Sequence, residues 1–515
     1  MSTTNAVTYE SSDIVKDLAG AQVGVVGLGR TGTAVVEVLS TLGARVSVFD
    51  SRQDAVQALP AGMRPVAAAV GDDTALAQAL VSSDLRLLVV SPGVPATGAL
   101  MQAARARGIE TWSEIELAWR LHRSTRPEVP WITVTGTDGK TTTVGMLSAI
   151  LTAAGMSAPA VGNIGVPTIS VVAEGKADAL AVELSSFQLH ATHSLSPLAA
   201  ACLNLSADHL DWHGSMEAYA ADKARVYTHA QRGVVYNLAD PATLRMVEEA
   251  DVVEGCRAVG FGLGAPGPGQ VGLVEDVMVD RAWYPRRHHE AAELATLADL
   301  EHLAPGGRSG RLPAHVVADA LAAASLALAH DRVRADPGCV ARGLRAFVPG
   351  AHRLVTVAQG DGVTWVDDSK ATNAHSARAA LTSVEPGTAV WIVGGDTKGA
   401  DLHPLVASVR GYLRGAVVIG ADPTEVVQAL QDEAPQVPLT VVRPGEPGEV
   451  MDEAVRLAAA TARSGDTVLL APAAASWDQF RSYAERGDLF ARAARLQAGA
   501  GQAGRTVQAD QDRQP

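Results

Sequence analysis

The 515-residue chain is too long for one ordinary core, and 47% hydrophobic with 19% charged residues marks a globular protein of several domains. Its 42 basic and 56 acidic side chains leave a net charge of −14, which argues against a nucleic-acid protein with a basic binding face. Any anionic ligand must then be met by a local cluster of cations or backbone N–H groups.

The N-terminal stretch lacks the basic and apolar regions of a secretory signal. The longest alanine- and leucine-rich run, 316–329, is short and broken by Asp319, so no membrane span is expected. Cys202, Cys256 and Cys339 are scattered without a CxxC pair, which fits a reducing cytoplasm better than a disulfide framework or a zinc site.

In chain order, the first predicted elements are a strand in "AQVGVVGLG" (21–29), a helix in "RTGTAVVEVLSTLG" and a strand in "ARVSVFD". Strand–turn–helix–strand is the unit of a parallel α/β sheet. Apolar runs follow at 85–93, 131–136, 178–186, 197–206, 233–238, 362–368, 389–396, 415–420 and 466–473, most of them separated by alanine-rich helical patterns. Continuous apolar strands alternating with helices predict an α/β fold of mainly parallel sheets flanked by helices. Proline-bearing stretches at 123–130 and 347–353 mark borders, and "SEIELAWRLHR" reads as a helix packing onto the second sheet. The expected domains are 1–112, 113–349 and 350–496, followed by a disordered tail over 497–515. Gly- and Pro-rich residues 262–275 and 303–311 read as loops, and "RRHHE" (286–290) as a solvated one.

Two glycine turns carry the chemistry. "GLGRTG", with Gly27, Gly29 and Gly32, follows a strand and opens a helix, so free N–H groups and the helix dipole face a diphosphate. Asp50 ends the next strand, where a carboxylate reaches a sugar hydroxyl. A nicotinamide nucleotide is the default ligand of this pattern, but nothing downstream reads as a hydride-transfer site. "VTGTDGKTTT" (134–143) sits between a strand and a helix and has the second half of a phosphate loop, with Val134 where a leading glycine would stand. Gly136 and Gly139 permit close backbone approach, Lys140 bridges outer phosphates, and the Thr141 hydroxyl suits Mg²⁺.

The loop "GTDGKTT", the preceding "GLGRTG" unit and "ELSSFQL" (183–189), with "DHLD", "DDSKATN", "GGDTKGAD" and "SWDQF" in order over about residues 20–495, resemble the Mur ligases, the ATP-dependent amide-forming enzymes of peptidoglycan synthesis. The resemblance implies a Rossmann-like N-terminal domain, a P-loop ATPase-like central domain and a Rossmann-like C-terminal domain. It further implies ATP and Mg²⁺ as cofactors, with UDP-N-acetylmuramoyl-L-alanine and D-glutamate as small-molecule substrates of a monomeric enzyme. On this resemblance Gly136, Thr137, Asp138, Gly139, Lys140, Thr141 and Thr142 hold ATP, joined by Arg353 and Asp368. Thr141, Glu183 and His209 match metal ligands, Lys223 matches a carbamylated lysine, and Lys370 faces the reaction centre. Arg30, Thr31, Asp50, Ser51 and Arg52 match the uridine diphosphate site, while Ser91, Gly93, Asn163, Ser185 and Gln188 line the muramoyl path. Thr372, Lys398, Ser476 and Tyr483 match the amino-acid end. Asp138 stands for a more usual asparagine, and Val316 and Asp319 occupy two asparagine positions of the family pattern. A folylpolyglutamate synthase-like ligase, another Mur ligase, an oxidoreductase with an accessory phosphate loop and a nucleotide-gated binding module are the rival readings.

Overall fold

The computed structural model describes residues 13–60, 62–63, 65–305 and 312–511, and it is built on three sheets. The first comprises β1 (Gln22–Val26), β2 (Arg45–Asp50), β3 (Ala67–Val70), β4 (Leu87–Val90) and β5 (Glu110–Ser113), in the order β3-β2-β1-β4-β5 and parallel throughout. The second contains β6 (Trp131–Thr135), β7 (Ala160–Gly162), β8 (Leu180–Glu183), β9 (Ala199–Cys202), β10 (Gly233–Asn237), β11 (Arg257–Phe261), β12 (Gln270–Val274), β13 (Val277–Asp280) and β14 (Ala292–Thr296). Its order is β14-β13-β12-β11-β10-β9-β6-β8-β7, with β12 and β13 an antiparallel hairpin. The third holds β15 (Val355–Gly360), β16 (Val363–Asp367), β17 (Ala389–Val393), β18 (Leu413–Val418), β19 (Leu439–Val441) and β20 (Thr467–Leu470), ordered β15-β16-β20-β17-β18-β19 with only β15 antiparallel to its neighbour.

The continuous apolar runs are explained by burial on both faces. In β17, Val390 and Ile392 enter one core while Trp391 and Val393 enter another on the opposite face. In the first sheet, Val25 and Val48 face one core, and Val26 and Phe49 the other. Helices on both faces leave no polar side to the strand, so alternation disappears from its sequence.

By its contacts the chain divides into two compact units, Met1–Ala295 with Asp319–Ala346, and Thr296–Ala318 with Phe347–Pro515. The first two sheets thus share a unit. The loop expectation for 262–275 is corrected: β12 occupies its second half and pairs with β11 and β13. Gly272 lies so close to the Gly264 carbonyl that a Cβ would not fit, so this glycine serves close backbone approach. Residues 286–290 form a turn with Arg286, His288 and His289 exposed, while 306–311 of the other expected loop lie outside the described residues. The closing helix runs Tyr483–Gln511, so the stretch expected as a tail from 497 begins inside it. No helix among the described residues is long and apolar enough to cross a membrane.

Candidate active site

The phosphate loop joins β6 to the helix Lys140–Ala153, and Gly139 caps that helix in the left-handed region at φ 80°. A side chain at 139 would run into the Asp319 carboxylate, which also accepts from Thr143 Oγ1 at 3.2 Å. The other wall is Asn204, whose Oδ1 accepts from the N–H groups of Thr137 and Asp138 at 3.0 and 2.9 Å. Thr137 Oγ1 touches Tyr219 Oη at 3.1 Å. Lys140 Nζ folds back to the carbonyls of Gly136 and Thr137 at 2.9 and 2.7 Å. Lys223 Nζ donates to the same Gly136 carbonyl at 2.7 Å. It lies 4.6 Å from the Tyr219 ring centre and is 2% exposed. A surface lysine on an amphipathic helix would be the plain sequence reading of Lys223; the structure buries it. Burial, and then the neighbouring Lys140 charge, lower its pKa to about 7.

Glu183 ends β8 beside the loop. Its Oε2 accepts from Thr141 Oγ1 at 2.7 Å and its Oε1 from Asn163 Nδ2 at 2.9 Å. The residue is 2% exposed and has only neutral donors, with no cation at ion-pair distance among the described residues. A buried carboxylate next to a threonine hydroxyl, without a protein cation, fits a hard divalent ion such as Mg²⁺. No group of three or more His, Cys, Asp or Glu closes around a metal among the described residues. His209, in the left-handed region at φ 53°, pairs with Asp208 at 3.4 Å and lies 4.9 Å from the Phe187 ring. Thr142 lies in the first turn of the loop's helix.

In the first sheet's loop, Gly27 is left-handed and Gly32 packs against its carbonyl. Asp50 Oδ2 accepts from Leu28 N at 2.5 Å and Oδ1 from Arg52 N at 2.8 Å, so its carboxylate braces the turn. Burial pushes the carboxyl up, but those N–H groups and the Arg52 guanidinium outweigh it and hold it below the usual range. Arg30 Nη1 reaches the Gly165 carbonyl at 2.6 Å, near Asn163, while Thr31 is the second residue of the helix Arg30–Thr41 and Ser51 is exposed. A cavity of about 210 Å³ opens between the ends of β4 and β5 and the helix Ser186–His190, lined by Ser91, Phe187, Gln188 and Trp212 among others. Gly93 and Ser185 are not in its wall. Ser185 and Gln188 instead form a reciprocal capping box, each bonding the other's backbone N–H.

The third sheet gathers its residues on loops at the carboxyl ends of β16, β17 and β20, where open α/β sheets bind ligands. Lys370 Nζ lies 3.9 Å over the Tyr483 ring, and Asp368 Oδ1 accepts from Leu354 N at 3.1 Å. Arg353 lies between the left-handed residues His352 and Leu354. Thr372 N donates to Lys370 O at 2.9 Å. Lys398 is left-handed at φ 54°, its N–H held by Asp396 Oδ1 at 2.9 Å, while Ser476 is 2% exposed. His352 Nδ1 meets Asp367 Oδ2 at 2.7 Å, a bond that raises the imidazole's pKa against burial. Gly487 packs against this pair so tightly that no Cβ fits.

Several members of these clusters carry no motif signal. Asn204 and Tyr219, which line the phosphate loop, stand in ordinary strand-end and helix contexts.

Three family models match the chain: a Mur ligase MurD-like N-terminal domain over 21–113, a Mur ligase middle domain over 134–325 and a Mur ligase glutamate ligase domain over 352–474. A UDP-N-acetylmuramoylalanine--D-glutamate ligase of Streptomyces coelicolor is 48% identical, covering 93% of this chain and 98% of its own. One of Thermobifida fusca is 47% identical over 94% of this chain and 100% of its own. Among solved structures, the UDP-N-acetylmuramate-alanine ligase MurC of Thermotoga maritima aligns at TM-score 0.52 with 16% identity, over 92% of this chain and 98% of that one. The MurF ligase of the same organism, in complex with ADP, aligns at 0.52 with 15% identity, over 94% and 97%. At such identities those two bear on the fold alone. The near-full-length relatives and the three ordered domain matches carry the assignment: the chain belongs to the Mur ligase family.

Proposed function

We propose that the chain joins D-glutamate to UDP-N-acetylmuramoyl-L-alanine at the expense of ATP. The observation that carries this reading is the convergence of Lys140, Lys223, Thr141 and Glu183 on the loop around Gly136, in a chain whose near-full-length relatives bear that ligase's name. A carboxylate does not condense with an amine in neutral water. Transfer of the γ-phosphoryl to the carboxylate oxygen, with ADP leaving, gives an acyl phosphate. The amine then attacks the acyl carbon, loses a proton, and phosphate departs.

In this reading the loop N–H groups and Lys140 hold the triphosphate and neutralise charge on the migrating group. A Mg²⁺ held by Glu183 and Thr141, with His209 alongside, would supply the remaining positive charge. The turn at Gly27 to Gly32 receives the uridine diphosphate, with Arg30, Asp50, Ser51 and Arg52 around it. Lys370, Thr372, Lys398, Ser476 and Tyr483 receive the amino acid, and Arg353 and Asp368 attend the nucleotide.

A coupled assay of ADP release tests this. Turnover should need both the UDP-sugar and D-glutamate, and Lys140→Ala should abolish it. Equal rates with L-glutamate, L-lysine or diaminopimelate would defeat the assignment.

A further inference from the structure

Arg486 is a buried charged group at the third sheet. It lies in the first turn of the closing helix and is 0% exposed. Its guanidinium spreads over three loops. Nε donates to Ser369 Oγ at 3.0 Å, and Nη2 to the carbonyls of Ser369 and Ala474 at 3.0 and 3.2 Å. Nη1 faces the carbonyls of Gly394 and Ala475, each at 3.5 Å. These loops follow β16, β17 and β20, three adjacent strands. Ser369 precedes Lys370, Gly394 leads to Lys398, and Ala475 precedes Ser476.

The loops are shaped to reach the guanidinium. Gly394 and Gly395 have φ values of 121° and 131°, and a Cβ on Gly395 would collide with the Ala475 carbonyl and crowd Arg486 Nη1. Ser369 passes the contact on, donating from Oγ to the Tyr483 carbonyl at 2.8 Å. Among the described residues no carboxylate stands at ion-pair distance from Arg486. Asp367 and Asp478 are the acidic groups whose charge favours its charged form. Asp367 bonds His352 at 2.7 Å and Ser369 N at 2.9 Å, and Asp478 Oδ2 bonds Ala421 N at 2.8 Å.

A buried cation solvated only by carbonyl and hydroxyl dipoles is costly, and an apolar side chain of similar volume would fill the space more cheaply. Two things follow from keeping it. One planar fork fixes five acceptors on three loops at once, which a lysine cannot do. Its charge, balanced in part by Asp367 and Asp478, also stands behind loops proposed to receive an amino acid with two carboxylates. We propose that Arg486 is a positioning residue for the amino-acid acceptor, setting the three loops in register and biasing the site toward a dianionic amino acid. This rests on the reading that the acceptor binds at the third sheet.

The test compares the wild type with Arg486→Lys, Arg486→Met and Ser369→Ala. Steady-state KM is measured for D-glutamate, the UDP-sugar and ATP, with D-glutamine as an acceptor lacking the side-chain charge and thermal unfolding run alongside. For folded Arg486→Met, KM for D-glutamate should rise at least 10-fold and the preference for D-glutamate over D-glutamine should collapse, while the UDP-sugar KM stays within twofold. Arg486→Lys should keep most of the preference yet show a raised KM. Ser369→Ala, which leaves the charge in place, should raise the D-glutamate KM several-fold and leave the preference alone, and it decides the matter if Arg486→Met does not fold. An unchanged D-glutamate KM in Ser369→Ala or in folded Arg486→Met overturns the proposal while the functional reading stands. A wild type inert toward D-glutamate overturns both.

Discussion

Two ammonium groups, those of Lys140 and Lys223, point at one carbonyl oxygen, that of Gly136, at 2.9 and 2.7 Å. Burial disfavours the Lys223 ammonium and the nearby Lys140 charge adds to that, which lowers the Lys223 pKa to about 7. An amine neutral for part of the time can add to carbon dioxide: the N–C bond forms, a proton leaves and the positive head becomes a carbamate anion. Protein supplied with ¹³C-bicarbonate should show a carbamate resonance that is missing in Lys223→Arg, and that variant should lose about 100-fold in kcat. A Lys223→Arg enzyme with full activity would remove the residue from the chemistry. The glycine–lysine turn was legible because its glycines are needed locally, at φ 148° for Gly136 and 80° for Gly139. The burial of Lys223 was not legible, because the pattern of the helix Met216–Ala224 does not say which neighbour covers it.

At the scale of elements, three segments that follow or precede candidate groups are laced together. Ser186 Oγ donates to His213 Nε2 at 2.9 Å, and His213 Nδ1 donates to Asp222 Oδ2 at 3.0 Å. His190 Nδ1 reaches the same carboxylate at 3.0 Å. Burial lowers the His213 pKa, and the neutral ring with its proton on Nδ1 is the form that both bonds require. The connectivity is that of an acyl-transfer triad, but no substrate atom can reach it. Ser186 is 2% exposed, and the His213 ring is covered by Phe187, Trp212 and Tyr219 at centroid distances of 5.5, 4.5 and 5.1 Å. Its effect is to fix β8 with Glu183, the turn with His209 and the helix with Lys223 relative to one another. Ser186→Ala and His213→Ala should each lower kcat by about 10- to 100-fold. The double variant should be no worse than the poorer single one, since both break the same chain. Additive losses in a double-mutant cycle would mean the residues act independently. Strands such as β6 and β17 could be read from unbroken apolar runs, whereas β3, with three of its four residues exposed, and β12, inside a glycine-rich stretch, could not. Their pairing depends on neighbours that no local window contains.

For the molecule as a whole, 56 acidic side chains outnumber 42 basic ones, and the buried acids decide how stability responds to pH. Two glutamates on the helix Glu114–Thr125, which leads from the first sheet to the second, make the contrast. Glu116 is buried but accepts from Ser194 Oγ at 2.6 Å, from the N–H groups of His193 and Ser194 at 2.8 and 3.0 Å, and from Arg120 at 2.6 Å. Burial pushes its carboxyl up, and those donors more than reverse the push. Glu114, 1% exposed, has among the described residues only backbone donors at the start of the helix Thr168–Glu174, with Ile169 N at 2.6 Å, and no partner there for its Oε2. Burial therefore wins and raises its pKa to about 7. Between the ordinary carboxyl value of 4.5 and about 7 the folded state holds a proton that the unfolded chain has released. Stability contributed at this position is thus full at low pH, falls as pH rises through that window and stays low above it. Glu114→Gln keeps an acceptor for Ile169 N–H and has no charge to bury. It should be more stable than the wild type at pH 8 by about 1–3 kcal/mol, at roughly 1.4 kcal/mol per pKa unit, with the gain shrinking to nothing near pH 4.5. Denaturant unfolding of both proteins at several pH values measures the gap directly. A gap that is constant with pH would mean that Glu114 stays ionised in the folded chain, held by a cation that has entered between the two helices.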